Sequence, residues 1–270
     1  MIKNLHFTDA QKLESKQIRK HIRNNLYINH TAGLAKNKLQ ANLVILHKKY
    51  SDDFYQFYKK NTKACPLVGM TQIGNPFFEK LGENIDIRHD VPSYNIYENG
   101  KHVKSLYNVE ALWTKDLVAF AIGCSFTFEH DLIKNNFRID HVLNNKIVPM
   151  YKSNLKNSKS GVFSGNMVTS MRIFKKSDKE KIIKISKKYS FAHGEPIHIG
   201  EPHKIGIKDI LNPDWGDGPR TKKPDEDYFF WACGVTPQHA VMEAKIPFCI
   251  THTPGHMLIT DVNEQDLISL

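Results

Sequence analysis

Apolar residues recur along the chain in two rhythms, and the rhythm sets each expected element. Leu13, Ile18, Ile22 and Leu26 share a helical face behind Thr8-Asp9, which predicts a capped amphipathic helix. Ala41-Asn-Leu-Val-Ile-Leu46 is a short, nearly unbroken apolar run and predicts a buried strand, followed by an aromatic-rich helix from Asp52 to Lys60. Cys65-Pro66 and Gly74-Asn-Pro76 punctuate a loop, and Asn99-Gly100 between Tyr94–Tyr97 and Lys101–Lys104 predicts a β-hairpin. Leu117–Ile122, Tyr228–Ala232 and Ile246–Ile250 read as buried strands, whereas Met167–Phe174 alternates and predicts a strand with one polar face. Lys175 to Lys188 carries an Ile182/Ile183/Ile185 stripe among charges and predicts a surface helix. No internal repeat and no long linker is visible. Strands mixed with helices imply an α/β fold with α+β elements.

Composition narrows the class. A chain of 270 residues is long enough for one large domain or two lobes. With 40% hydrophobic and 24% charged residues, disorder along the whole chain is excluded. No apolar run approaches the roughly 20 residues needed to cross a bilayer, and the start has no apolar core of a signal peptide, so a cytoplasmic protein without membrane contact is expected. Cys65, Cys124, Cys233 and Cys249 form no C-x-x-C pair, which suits reduced thiols rather than a zinc ribbon or a disulfide scaffold.

The net charge of +10 first suggests an anionic partner. However, residues 1–63 hold 13 Lys/Arg against 4 Asp/Glu, whereas the rest of the chain is almost balanced. Only six of the 38 basic residues are Arg, the residue that grips phosphate and guanine bidentately. A nucleic-acid partner is therefore not the expectation. Homo-oligomerisation is left open.

The chemistry concentrates where strands end in glycine. Leu117–Ile122 runs into Gly123-Cys124-Ser125 and a helix through Phe128, Glu129 and Leu132, while Tyr228–Ala232 runs into Cys233-Gly234-Val235-Thr236-Pro237 and a helix through Val241 and Met242. Thr236 suits the N-cap and Pro237 the first helical position. A helix start offers free N–H groups and partial positive charge, so each turn is a potential carboxylate or phosphate cradle. Cys124 at such a start would have a lowered pKa and could serve as nucleophile or acid, or pack as a small buried residue.

His193-Gly-Glu-Pro-Ile-His198-Ile-Gly-Glu-Pro-His203 cannot be helical, and one of its histidines suits a general base or acid. Asp214 and Asp217 sit in a turn-rich loop, where an Asx turn explains one and acid chemistry would need both to face a cleft. His252 and His256 follow the last apolar strand, a common position for ligand contacts. Arg172 lies on the alternating strand, facing either a ligand or solvent. Tyr151 and Ser164 would either bind a ligand or close turns.

Several strings together resemble the hydro-lyase family that includes D-glutamate cyclase. They include Gln40-Ala-Asn-Leu-Val-Ile-Leu46, Gly123-Cys-Ser-Phe-Thr-Phe-Glu129, Ser170-Met-Arg172, His193-Gly-Glu-Pro-Ile-His-Ile-Gly200, Trp231-Ala-Cys-Gly-Val-Thr-Pro-Gln238 and Pro247-Phe-Cys-Ile-Thr-His-Thr-Pro-Gly-His256. The resemblance covers about residues 31–261. It implies two intertwined lobes with a mixed sheet flanked by helices: a larger α/β lobe from 1–115 with 235–270, and a smaller lobe at 116–234. It also implies a small-molecule carboxylate as the partner, with conversion of D-glutamate to 5-oxo-D-proline and water or dehydration of a related small carboxylate.

On the matching positions, the backbone at Gly123, Cys124 and Ser125 is the expected oxyanion hole and His193 or His198 the base. Asp214 or Asp217 is the acid, its pKa raised by burial, and Arg172 with both helix starts anchors the carboxylates. Gly234, Thr236, Tyr151, Ser164, His252 and His256 complete the binding candidates. No cofactor is expected. The alternatives are metal-assisted hydration or hydrolysis through His193, His198 and His252, and a non-catalytic binder of a small acidic metabolite.

Overall fold

The computed structural model describes residues 5–268. Among the described residues, eleven strands form two sheets. Strands β1 (Lys38–His47), β2 (Leu67–Met70), β3 (Tyr94–Glu98), β4 (Lys101–Leu106), β5 (Leu117–Gly123), β10 (Phe248–His252) and β11 (Leu258–Asn263) make the seven-stranded sheet, ordered β2-β5-β1-β10-β3-β4 with β11 also on β1. Strands β6 (Met150–Lys156), β7 (Asn166–Lys175), β8 (His198–Ile199) and β9 (Glu226–Ala232) make the smaller one, ordered β6-β7-β9-β8. The helices are α1 (Phe7–Ala10), α2 (Ser15–Arg23), α3 (Ser51–Lys60), α4 (Phe126–Lys134), α5 (Asp140–Leu143), α6 (Lys179–Lys187), α7 (Thr236–Ala244) and α8 (Glu264–Ile268).

The mixed α and β class agrees with the sequence. The strand pairings are all antiparallel among the described residues, so the sheets themselves are not mixed; helices carry the chain between sheets. The Asn99-Gly100 hairpin forms between β3 and β4, with both residues at positive φ. The amphipathic start breaks into α1 and α2 across residues 11–14. The central strands read as continuous apolar runs because both faces are covered. Leu43, Ile45, Ala119 and Ala121 face one core, while Val44, Leu46, Val118 and Phe120 face the other.

One expectation fails outright: the chain does contain a structural repeat. β1 leads through a 3-10 turn into α3 and then β2; β7 leads through a 3-10 turn into α6 and then β8. Each set continues to a strand paired beside its first one, β5 against β1 and β9 against β7, so the orders β2-β5-β1-β10 and β8-β9-β7-β6 correspond. Each then turns through a cysteine elbow into a helix, α4 or α7, and the strand that follows joins the opposite sheet. α4 packs through Phe128 and Leu132 on Phe174, Phe229 and Trp231 of the small sheet. α7 packs through Ala240 and Val241 on Val44, Leu46 and Phe120 of the large one. The elbows even share a local pattern: Cys124, Thr127, Glu129 and His130 stand at the same spacing as Cys233, Thr236, Gln238 and His239.

The N-terminal basic excess is partly consumed by ion pairs to the body of the fold. Arg19 pairs with Asp261 at 2.8 Å, Arg23 with Asp90, and Lys16 with Glu83. No helix among the described residues is long and apolar enough to cross a membrane.

Candidate functional site

The two elbows meet. Asn42 of β1 lies opposite Ile122, two residues before Cys124, and its amide donates to the Gly123 carbonyl at 3.0 Å. A Cβ on Gly234 would collide with the same Asn42 amide, lying 2.8 Å from its Oδ1, so the second elbow passes against Asn42 with room only for glycine. Gly123 is required on the other side, where a Cβ would overlap the Phe191 carbonyl. Cys124 and Cys233 join one buried cluster with Val168, Met150 and Met257.

The expected lowering of the Cys124 pKa is not present. Burial drives its thiol pKa up, outweighing the Phe126 N–H that favours the thiolate, and Cys233 is likewise pushed up to about 11 by burial. Both cysteines are packing groups at the elbows.

Arg172 faces inward and is 4% exposed. Its Nε donates to Glu129 Oε1 at 2.9 Å, one terminal nitrogen donates to Glu129 and to Ser125 Oγ at 2.8 Å, and the other donates to Ser170 Oγ at 2.6 Å. That accounts for four of the five N–H donors of a guanidinium. Phe128 and Trp231 cover its faces at 5.5 and 5.3 Å. Glu129 also meets His141 of α5, whose Nε2 is 3.2 Å from Oε1 and 3.3 Å from Oε2. Burial opposes ionisation of Glu129, but His141 and Arg172 together hold its carboxyl down to about 2.

Arg172 and His141 also line a cavity of about 340 Å³, whose other walls include Arg138, Lys146, Asp217 and Arg220. Arg220 is engaged by Asp140 and Glu226, and Arg138 by Asp140. Lys146 has no ion pair among the described residues. The cavity is thus a small chamber of mixed apolar and charged lining beside the first elbow, of the size that takes a small metabolite.

His193 is a neighbour of this junction. It is 1% exposed and sits at φ +80°, the left-handed end of a 3-10 turn. Its Nδ1 donates to the Lys63 carbonyl at 2.9 Å, while Nε2, close to the Gly123 carbonyl, makes no hydrogen bond of normal geometry. Burial lowers its pKa to about 4, so the ring is neutral at physiological pH.

The other candidates separate. His198 lies on the edge strand β8 and bonds the Glu201 carbonyl at 3.0 Å, away from both elbows. His252 is fully buried in β10, accepting from Leu43 N–H at 3.0 Å beside the Gln238 amide at 2.7 Å; burial lowers its pKa to about 3. The fold therefore does not assemble His193, His198 and His252 into one site. No group of three or more His, Cys, Asp or Glu among the described residues could hold a metal ion.

Asp214 and Asp217 are exposed, which removes the premise of a desolvated acid. Asp214 accepts from Lys152 N–H at 2.8 Å, whereas Asp217 accepts from Ile147 N–H at 2.7 Å and reaches only the cavity rim. Thr236 begins α7 rather than capping it, and its hydroxyl is used up on the Val168 backbone. Tyr151 donates to the Ile210 carbonyl at 2.6 Å, and Ser164 lies in the loop just before β7. His256 donates to the Pro254 carbonyl of its own loop.

Of the predicted residues, the structure therefore gathers Gly123, Cys124, Ser125, Arg172, His193 and Gly234 at the junction, with Asp217 at the cavity rim. Glu129, His141 and Asn42 are the site residues that sequence reasoning does not single out.

The chain is similar to known proteins. Residues 118–261, from β5 through β11 and so across both elbows, match the family described as D-glutamate cyclase. A protein of Pelagibacter ubique named “Putative hydro-lyase” is 48% identical over 254 residues, 94% of this chain and 97% of its own. Proteins so named in Ruegeria pomeroyi and Geobacillus kaustophilus are 48% and 44% identical, over 92% and 96% of this chain and 90% and 98% of theirs.

Proposed function

The chain belongs to the D-glutamate cyclase family of hydro-lyases, and from that premise we propose that it converts D-glutamate to 5-oxo-D-proline and water in the chamber beside the first elbow. The supporting observation is the buried Arg172–Ser125–Glu129 cluster opening onto a small cavity with cationic walls. Cyclisation joins the α-nitrogen to the γ-carboxyl carbon of one molecule, so holding the folded-back substrate supplies much of the rate. A substrate with two carboxylates needs two anchors. Lys146 offers an ammonium at the wall, and Arg172 retains one N–H for a substrate oxygen.

This reading assigns no metal or organic cofactor. Anchoring and proton movement fall to side chains, and the neutral His193 borders the elbow as a hydrogen-bonding group rather than a cation. The test is incubation of the purified protein with D- or L-glutamate, with 5-oxoproline scored by chiral mass spectrometry. The expected result is 5-oxo-D-proline from the D isomer. No product from D-glutamate overturns the reading.

A further inference from the structure

The repeat supplies an internal comparison for the first elbow. Glu129 and Gln238 occupy equivalent positions five residues after the elbow cysteines. Gln238 is buried, uncharged and satisfied by His252, with its amide also 3.2 Å from the His252 carbonyl. This position therefore folds with a neutral amide. At the first elbow it holds a carboxylate 2% exposed, which must be desolvated and can be matched only by bringing in Arg172 and His141. A buried ion pair is a poor way to gain stability when a neutral group of the same size suffices. The second pair is sealed in the core, with His252 fully buried, whereas His141 is among the residues that line the cavity.

We propose that Glu129 and His141 are the proton-transferring pair of this chamber, with Arg172 as the positioning residue that fixes the carboxylate. The proposal rests on the cyclase reading for its substrate, although the placement of His141 at the cavity does not. Glu129 holds Nε2 of the ring and stabilises the imidazolium formed when His141 accepts a proton. D-Glutamate enters with three protons on its α-nitrogen. His141 takes one, the freed lone pair attacks the γ-carboxyl carbon, and the new C–N bond forms. The ring returns that proton to a γ-oxygen. A second proton follows the same route from nitrogen to that oxygen as the C–O bond breaks. Water leaves with both protons, and the lactam keeps the third.

Two measurements test the assignment. In steady-state kinetics with D-glutamate, His141→Asn lowers kcat by about 100-fold or more while KM moves far less. Asp214→Asn and His198→Gln, whose side chains lie outside the chamber, retain turnover. A folded His141→Asn protein with wild-type kcat overturns the proposal. Independently of turnover, glutarate titrated into wild-type protein labelled with ¹⁵N-histidine produces a saturable shift of the His141 ring nitrogens. Absence of that shift overturns the pair. If D-glutamate is not turned over but the glutarate shift is present, the cyclase reading fails and the pair stands. If His141→Asn does not fold, the glutarate titration of wild-type protein decides.

Discussion

Replacing Gly123 with alanine tests whether the first elbow is as closely packed as the site requires. The added Cβ would lie 2.9 Å from the Phe191 carbonyl carbon and 3.3 Å from Ala192 Cα, with the carbonyl oxygen nearer still. Carbon atoms pack favourably at about 3.5 Å, so the carbonyl carbon must retreat by at least about 0.6 Å and its oxygen by considerably more. The obstacle is backbone, so no rotamer change relieves it. The displaced turn, Ser190–Ala192, also sets the position of His193. Such overpacking with a backbone shift costs about 3 kcal/mol or more, which for a chain of this size lowers Tm by roughly 6–12 °C.

Gly194→Ala is the matched control. Its Cβ meets nothing closer than Lys63 Nζ at 3.8 Å, but its φ of +65° makes alanine strained by about 1–2 kcal/mol. Thermal and urea unfolding of the two variants should rank Gly123→Ala as the more damaging. If Gly123→Ala is as stable as Gly194→Ala or more so, the close approach of the elbow to residue 191 is wrong.

Other perturbations follow from the same packing. Arg172→Gln leaves Glu129 buried without its guanidinium and should cost about 3–5 kcal/mol in urea unfolding; a loss below about 1 kcal/mol would contradict the buried pair. His193 and His252 are held neutral down to about 4 and about 3, below the 6.5 of a free ring, so the unfolded chain binds protons first. Stability should fall as pH drops from about 6.5 toward 4, and a urea midpoint that is flat across this range would refute the burial of both rings. Glu129 adds a second loss as pH falls from 4.5 toward about 2, where the folded carboxylate finally protonates. Cys124 and Cys233 should resist iodoacetamide at pH 8 in the folded protein and react only on unfolding; rapid native labelling of either would contradict their raised thiol pKa values.

How much of the molecule is legible in its sequence depends on range. β1, β5 and the hairpin announce themselves because their signals are contiguous, and both elbows are marked by glycine at the start of a helix. Arg172 is visible as a polar residue in an apolar strand, but its partner lies 43 residues away on α4, a distance no local pattern spans. His141 stands in an asparagine-rich stretch with nothing to distinguish it until α5 folds beside Glu129. Cys124 departs from expectation for a physical reason: the helix start favours its thiolate, but the surrounding apolar cluster opposes it more strongly. The repeat is hidden because the elbow copies are separated by more than a hundred residues and agree at only a few positions.

The exchange of β6 and β10 between the sheets has a mechanical consequence. In a clamshell protein, two halves swing about a strap and open their cleft. Here each half is stitched into the other by a strand that would have to be torn from its ladder before they could part. Entry to the chamber therefore falls to its solvent-exposed lining, to which Arg138 and Arg220 belong. Breathing of that doorway, rather than gaping of the whole body, would set how fast small molecules come and go.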